Sequence, residues 1–248
     1  MAKQTGIITL QGNVGRLNFF KNKDGFQARE KGGVSKSRIM TDPRYARTRE
    51  NIAEFTTNAA VVKLLKDTIR PAIVRISDTR LHQRLVKKLL TILRTDAVNV
   101  RGQRNIQEGD WNLLIGMEIN ATVGLTSTLR PELVLINTGT DWGISIQPYQ
   151  PSDFMVIPEG ASHFKVFVAG ASIDILTGNR SFQMEASANL PINVETPAIN
   201  LAVEKALIPD PHRILIVGVE FMQEVNGQYY AMNNGANNAA VIIAVEKD

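Results

Sequence analysis

The sequence predicts an α+β protein: an N-terminal β-hairpin plus helices, then a C-terminal antiparallel β-sandwich of immunoglobulin-like or jelly-roll kind. Three observations carry this. Asp24-Gly25 sits between two strand-like runs, a tight-hairpin signature. Residues 41–95 switch to helical periodicity. From residue 131 onward, short strand-like runs alternate with turn signals.

In chain order, Thr5–Leu10 is β-rich, and Arg16–Asn22 and Phe26–Lys31 form the arms of the hairpin. Gly32-Gly33-Val34-Ser35-Lys36-Ser37-Arg38 reads as a basic, flexible loop. Thr41-Asp42-Pro43 opens a helix, with a capping side chain followed by proline where a missing N–H costs nothing. Tyr45, Thr48, Ile52 and Phe55 continue that helix, and a second runs from about Asn58 to Ile69, which Pro71 interrupts or ends. A third covers Ser77 to Thr95. Its Leu81, Leu85, Leu89, Ile92 and Leu93 share one side, and Arg80, Arg84, Lys87, Thr91 and Arg94 share the other. The basic stripe is roughly 20 Å long at ~1.5 Å per residue.

Residues 96–130 are transitional, and the expected domains are 1–120 and 121–248. Beyond them, strands are expected over 132–137, 143–147, 163–175, 181–188, 198–203, 213–225, 228–232 and 239–245. Asn226-Gly227 is the strongest turn signal in the chain.

The formal net charge of +4 conceals a division. Residues 1–104 carry 9 Lys and 13 Arg against 8 acids, a net +14, while residues 105–248 carry 6 bases against 16 acids, a net −10. Charge asymmetry of this size speaks of partners. With no run of eighteen apolar residues and no leader-like N-terminus, a cytoplasmic or particle-associated protein without membrane contact is expected. The chain has no cysteine, hence no disulfide or thiolate chemistry.

Catalytic signals are poor, and no enzyme, cofactor, metal or small-molecule substrate is expected. His82, His163 and His212 lack metal-ligand spacing. No Gly-x-Ser-x-Gly elbow or Walker loop is present, and Gly12-Asn-Val-Gly15 reads as a turn.

Binding signals are better. Lys21, Lys23, Arg29 and Lys31 on the hairpin, Arg44 and Arg47 after it, and Arg80, Arg84, Lys87 and Arg94 on the third helix are candidates for holding a polyanion or an acidic protein surface. Phe19, Phe20 and Phe26 could stack on unpaired bases, although alternation also allows them to be buried under the helices. Gly6, Ile7, Ile8, Thr9 and Leu10 form a candidate strand able to pair with a neighbour's sheet edge, or within its own hairpin sheet.

Three stretches resemble a known group of sequences. Residues 21–35, continued by Arg38-Ile39, Asp42-Pro43 and residues 47–51, together with residues 100–104 and 225–230, resemble an uncharacterised family of Bacteroidota-type bacterial proteins. That family has no assigned activity, so the resemblance implies lineage and no residue roles.

The leading expectation is a structural protein that assembles with itself or with other particle subunits through charge complementarity and strand pairing. The alternative is DNA or RNA binding by the basic N-terminal part. A third reading, carbohydrate or peptide binding, rests on Trp111, Trp142 and Tyr149.

Overall fold

The computed structural model describes residues 2–6 and 8–247. The chain divides into two units, Met1–Asn51 and Ile52–Asp248. The expected boundary near residue 120 therefore falls inside the second unit.

The first unit is a four-stranded antiparallel sheet ordered β1-β4-β3-β2. Its strands are β1 (Ala2–Lys3), β2 (Gly12–Val14), β3 (Leu17–Asn22) and β4 (Gly25–Glu30). Lys23-Asp24 form the hairpin tip, and Gly25 takes φ 101°, a conformation glycine adopts at no steric cost. Gly12-Asn13-Val14, expected as a turn, is an edge strand. The supposed loop around Ser35 holds a short helix, α1 (Lys36–Thr41), whose first turn is capped by the Ser35 hydroxyl accepting from the Arg38 N–H.

The long helix α2 (Ala46–Thr68) runs unbroken where two helices were expected. Pro71 falls in the first turn of the short α3 (Arg70–Ile73), a position that needs no N–H. Helix α4 (Leu81–Arg94) follows.

One-turn helices α5 (Leu125–Thr128) and α6 (Pro151–Phe154) lie in the connections of the β part. Its strands are β5 (Val134–Asn137), β6 (Asp141–Ile146), β7 (His163–Ile173), β8 (Arg180–Ala186), β9 (Leu190–Pro191), β10 (Ile199–Glu204), β11 (His212–Val225), β12 (Gln228–Ala231) and β13 (Ala239–Lys247). They form two antiparallel sheets. One has the order β10-β6-β5; the other is built on β7 and β11, with β8 and β9 beside β7 and with β12 and β13 beside β11.

The second unit is layered. One face of the larger sheet, with Phe167, Ala169, Ala171, Ile214 and Ile216, packs on Val61, Leu65, Ile69, Leu85, Leu89 and Ile92 of the helices. The other face, with Phe164, Val166, Val168, Leu215 and Val217, packs on Trp142, Ile144, Ile146, Ile199 and Val203 of the smaller sheet. The helices thus cover the large sheet. This is why β7 and β11 read as near-continuous apolar runs, as strands buried on both faces do.

Large side chains on this sheet meet small ones: Ile216 opposes Ala169, Leu215 opposes Gly170, and Phe167 opposes Gly218. A Cβ at Gly218 would lie within 2.5 Å of the Phe167 ring and 2.8 Å of Ala240 Cβ, so only glycine fits there.

Residues 96–119, expected to be transitional, are tied down by polar anchors. The buried Asp96 carboxylate accepts from the N–H groups of Val98, Asn99 and Asn105. Led by the Asn105 N–H, these bonds hold its pKa far below the usual carboxylate range. Buried Glu54 on α2 accepts from the Gly102 N–H at 2.9 Å and lies 3.8 Å from Arg104. Residues 116–119 then cover the free edge of β13: Ile119 N–H donates to the Ala240 carbonyl, and Ile242 N–H to that of Met117.

Candidate assembly interface

The four-stranded sheet of the first unit has two faces of different chemistry. Cross-strand partners share a face, so Val14, Leu17, Phe19, Lys21, Phe26 and Ala28 lie together. On this face the Lys21 ammonium sits 5.1 Å from the centre of the Phe26 ring. The opposite face carries Asn13, Asn18 and Arg29 in one row across β2, β3 and β4, with Phe20, Gln27 and Lys3 in a parallel row. Asn18 donates to Asn13 at 2.8 Å, and the Arg29 guanidinium lies 5.3 Å from the Phe20 ring centre. Asn13, Asn18, Arg29, Glu30 and Lys31 line a polar groove of about 530 Å³.

Among the described residues of this unit, Gln27 alone is buried, and no apolar side chain is. Phe19, Phe20 and Phe26 are half-buried, whereas Ile8, Leu10, Val14, Leu17, Val34 and Met40 are exposed. The unit carries eleven Lys and Arg against four acids.

The expected pairing segment Gly6–Leu10 is not a ladder strand in its described residues, and Ile7 lies outside them. Backbone pairing with β4 comes instead from Ala2 and Lys3. The reason is local. The Gln4 carboxamide accepts from the Leu10 N–H at 2.8 Å and donates to the Leu10 and Gln27 carbonyls, tying Leu10 back to Gln4. Gly6, Thr9 and Leu10 remain exposed, and Ile8 is 82% exposed.

The other candidate bases divide into solvated and committed ones. Lys23 is exposed at the hairpin tip, and exposed Arg44 follows the Asp42 cap. Arg47 pairs with Glu50 at 3.0 Å on the surface, a bond of little energetic weight. Arg80 at the N-cap of α4, and Lys87 and Arg94 on it, are exposed, as the amphipathic pattern predicted. Arg84 departs from the stripe. It folds back to bond Asp78 at 2.5 Å and donates to the carbonyls of Glu118 and Ile119, joining helix to covering segment. Against the cost of burial, the Arg80 N–H and then the Arg84 guanidinium hold Asp78 below the usual range, while burial of Glu118 pushes that carboxyl up.

The acidic part offers a second surface. Strand β5 is an outer strand of the smaller sheet and, among the described residues, pairs with β6 alone. Its Val134 and Leu135 are 48% and 46% exposed.

One arrangement with catalytic ingredients was not legible in the sequence. The Ser162 hydroxyl lies 3.0 Å from His163 Nδ1, and His163 Nε2 lies 3.7 Å from the Glu224 carboxylate. The same hydroxyl accepts from the Glu224 N–H, and Tyr229 packs edge-on against the imidazole at 4.8 Å. The group ties the start of β7 to the β11–β12 hairpin. Trp111, Trp142 and Tyr149, the basis of the carbohydrate reading, are all buried in the two cores and cannot form a sugar platform. Among the described residues no helix is long and apolar enough to cross a membrane.

No family model, curated protein or solved structure matches the chain.

Proposed function

We propose that this is a non-enzymatic structural protein that assembles into homo-oligomers or as part of a larger particle. The second unit acts as a β-sandwich platform backed by helices, and the first acts as an interaction arm. One observation carries the reading: no apolar side chain is buried among the described residues of the first unit. A small sheet without a core is marginal alone, so a partner that covers it contributes stability. Covering Ile8, Leu10, Val14 and Leu17 offers about 1.5–3 kcal/mol each. Association costs ~4–15 kcal/mol, so apolar cover alone barely suffices. Charge complementarity and strand pairing supply the remainder. The basic arm and the acidic β part of another copy have suitable signs.

Light scattering and native mass measurement of the full chain across salt concentrations test this. The expected result is an oligomer in low salt that weakens as salt rises. A strict monomer at high concentration in low salt, with no partner subunit in native extracts, ends the proposal.

A second reading has its own observation, the row Asn13-Asn18-Arg29 beside Phe20 and Lys31. Basic groups beside an aromatic ring suit single-stranded nucleic acid. Replacing Arg29 and Lys31 with Ala should then weaken binding for all sequences and reduce the salt slope by about 2. Failure to retain DNA or RNA at about 50 mM salt, where such contacts are strongest, removes this reading.

A further inference from the structure

We propose that the segment around Ile8–Leu10 of one copy adds as a strand along the outer edge of β5 in a neighbouring copy. This rests on the assembly reading and names its acceptor. Two unfinished features of one chain fit each other. The donor is a β-prone stretch outside every ladder, with Ile8 and Leu10 turned to solvent. The acceptor, Val134-Leu135-Ile136-Asn137, pairs with β6 on one side only and exposes apolar side chains. It contains no Lys, Arg or Pro, the residues that ordinarily protect a sheet edge from pairing. Two edges of the larger sheet are guarded: residues 116–119 cover β13, and β8 begins at Arg180 and carries Glu185.

Charge favours the same pairing. Residues 2–23 hold Lys3, Arg16, Lys21 and Lys23 with no acid. Residues 131–162 hold Glu132, Asp141, Asp153 and Glu159 with no Lys or Arg. Opposite potentials of this kind steer the two segments together and set their orientation. Period-two geometry puts Ile8 and Leu10 on one face of the added strand, where exposed apolar β5 side chains can be covered.

The Gln4 carboxamide holds both the N–H and the C=O of Leu10. Those backbone groups must be released before Leu10 can pair with β5. Gln4 is therefore a clasp that competes with assembly, and Gln4→Ala should raise the oligomer fraction at fixed concentration.

The chain has no cysteine, so introduced thiols report unambiguously. Ile8→Cys or Leu10→Cys protein is mixed with Leu135→Cys protein under mild oxidation, and native mass is measured on the same samples. A disulfide needs Cα atoms about 4.4–6.8 Å apart. The expected result is a cross-linked dimer in the mixtures, well above the yield from any variant alone. Val134→Cys replaces Leu135→Cys if the latter alters thermal unfolding. Oligomers that form without cross-linking to either β5 position overturn the edge assignment and leave assembly standing. Absence of oligomers under all conditions removes both.

Discussion

The two units use their apolar residues in opposite ways. In the second, amphipathic α4 buries all of Leu81, Leu85, Leu89, Ile92 and Leu93 against a sheet that is covered again on its far side. In the first, Leu17 and Val14 stay exposed and Phe19, Phe20 and Phe26 are covered only in part. A side chain in the second unit therefore acts mainly through stability. A side chain in the first acts mainly through what the unit meets. Charge follows the same division: the first unit has eleven bases to four acids, the second seventeen to twenty.

Truncation is the most direct way to break this comparison. Leu89→Ala, at a fully buried site, should cost about 3–5 kcal/mol in chemical denaturation. Phe19→Ala should cost the monomer less than half as much but weaken association, read by light scattering. Equal losses of stability would mean that the first unit has a core after all.

Arg84 sharpens the contrast between committed and solvated bases. Arg84→Ala removes the guanidinium from Asp78 and from two carbonyls and should cost about 2–4 kcal/mol, somewhat discounted for partial exposure. Arg80→Ala and Lys87→Ala, on the same helix, should stay within about 0.5 kcal/mol.

His212 separates the units by pH. Its imidazole is buried 4.6 Å from the Trp111 ring, and neither ring nitrogen has a hydrogen-bond partner. Burial first, and then the Lys247 charge, lower its pKa, opposed by the nearby backbone of Ile173 and Gln107 and then by the Asp174 carboxylate. The folded state thus resists a proton that the unfolded chain accepts near the ordinary imidazole pKa of about 6.5. Stability contributed by the neutral ring is present above that pH and is lost as pH falls toward the folded value. Thermal melts of His212→Phe should show a shallower decline below about pH 6.5, with the first unit's contribution unchanged.

The smallest effect belongs to the surface pair of Arg47 and Glu50. Arg47→Ala should shift stability by no more than about 0.5 kcal/mol.

Much of the second unit was legible. Each of the eight expected β-part strands has its counterpart, because apolar runs and turn residues such as Asn226-Gly227 are local signals. The partner of the helices was harder to place. Local periodicity finds the buried stripe of α4 but not the sheet that it covers. The clue was the near-continuous apolar character of residues 166–173 and 214–219, which demands cover on both faces. At the candidate interface, exposure of Arg80, Lys87 and Arg94 followed from helix geometry. The inward turn of Arg84 depends on Asp78 and on carbonyls 34 and 35 residues away, which no local pattern encodes. The Gln4 clasp was hidden for a similar reason: a single carboxamide outweighs strand propensity over residues 6–10.

The fit of Phe167 against Gly218 has a further consequence. A ladder of nearly uniform aliphatic residues gives little penalty for sliding two places, since every side chain would keep its face. Here such a slip would set Ile216 or Glu220 against the aromatic ring in place of the vacant glycine position. The pair works as a notch and tooth that admits one alignment of the two longest strands, sparing the folding chain a set of near-degenerate mispaired sheets.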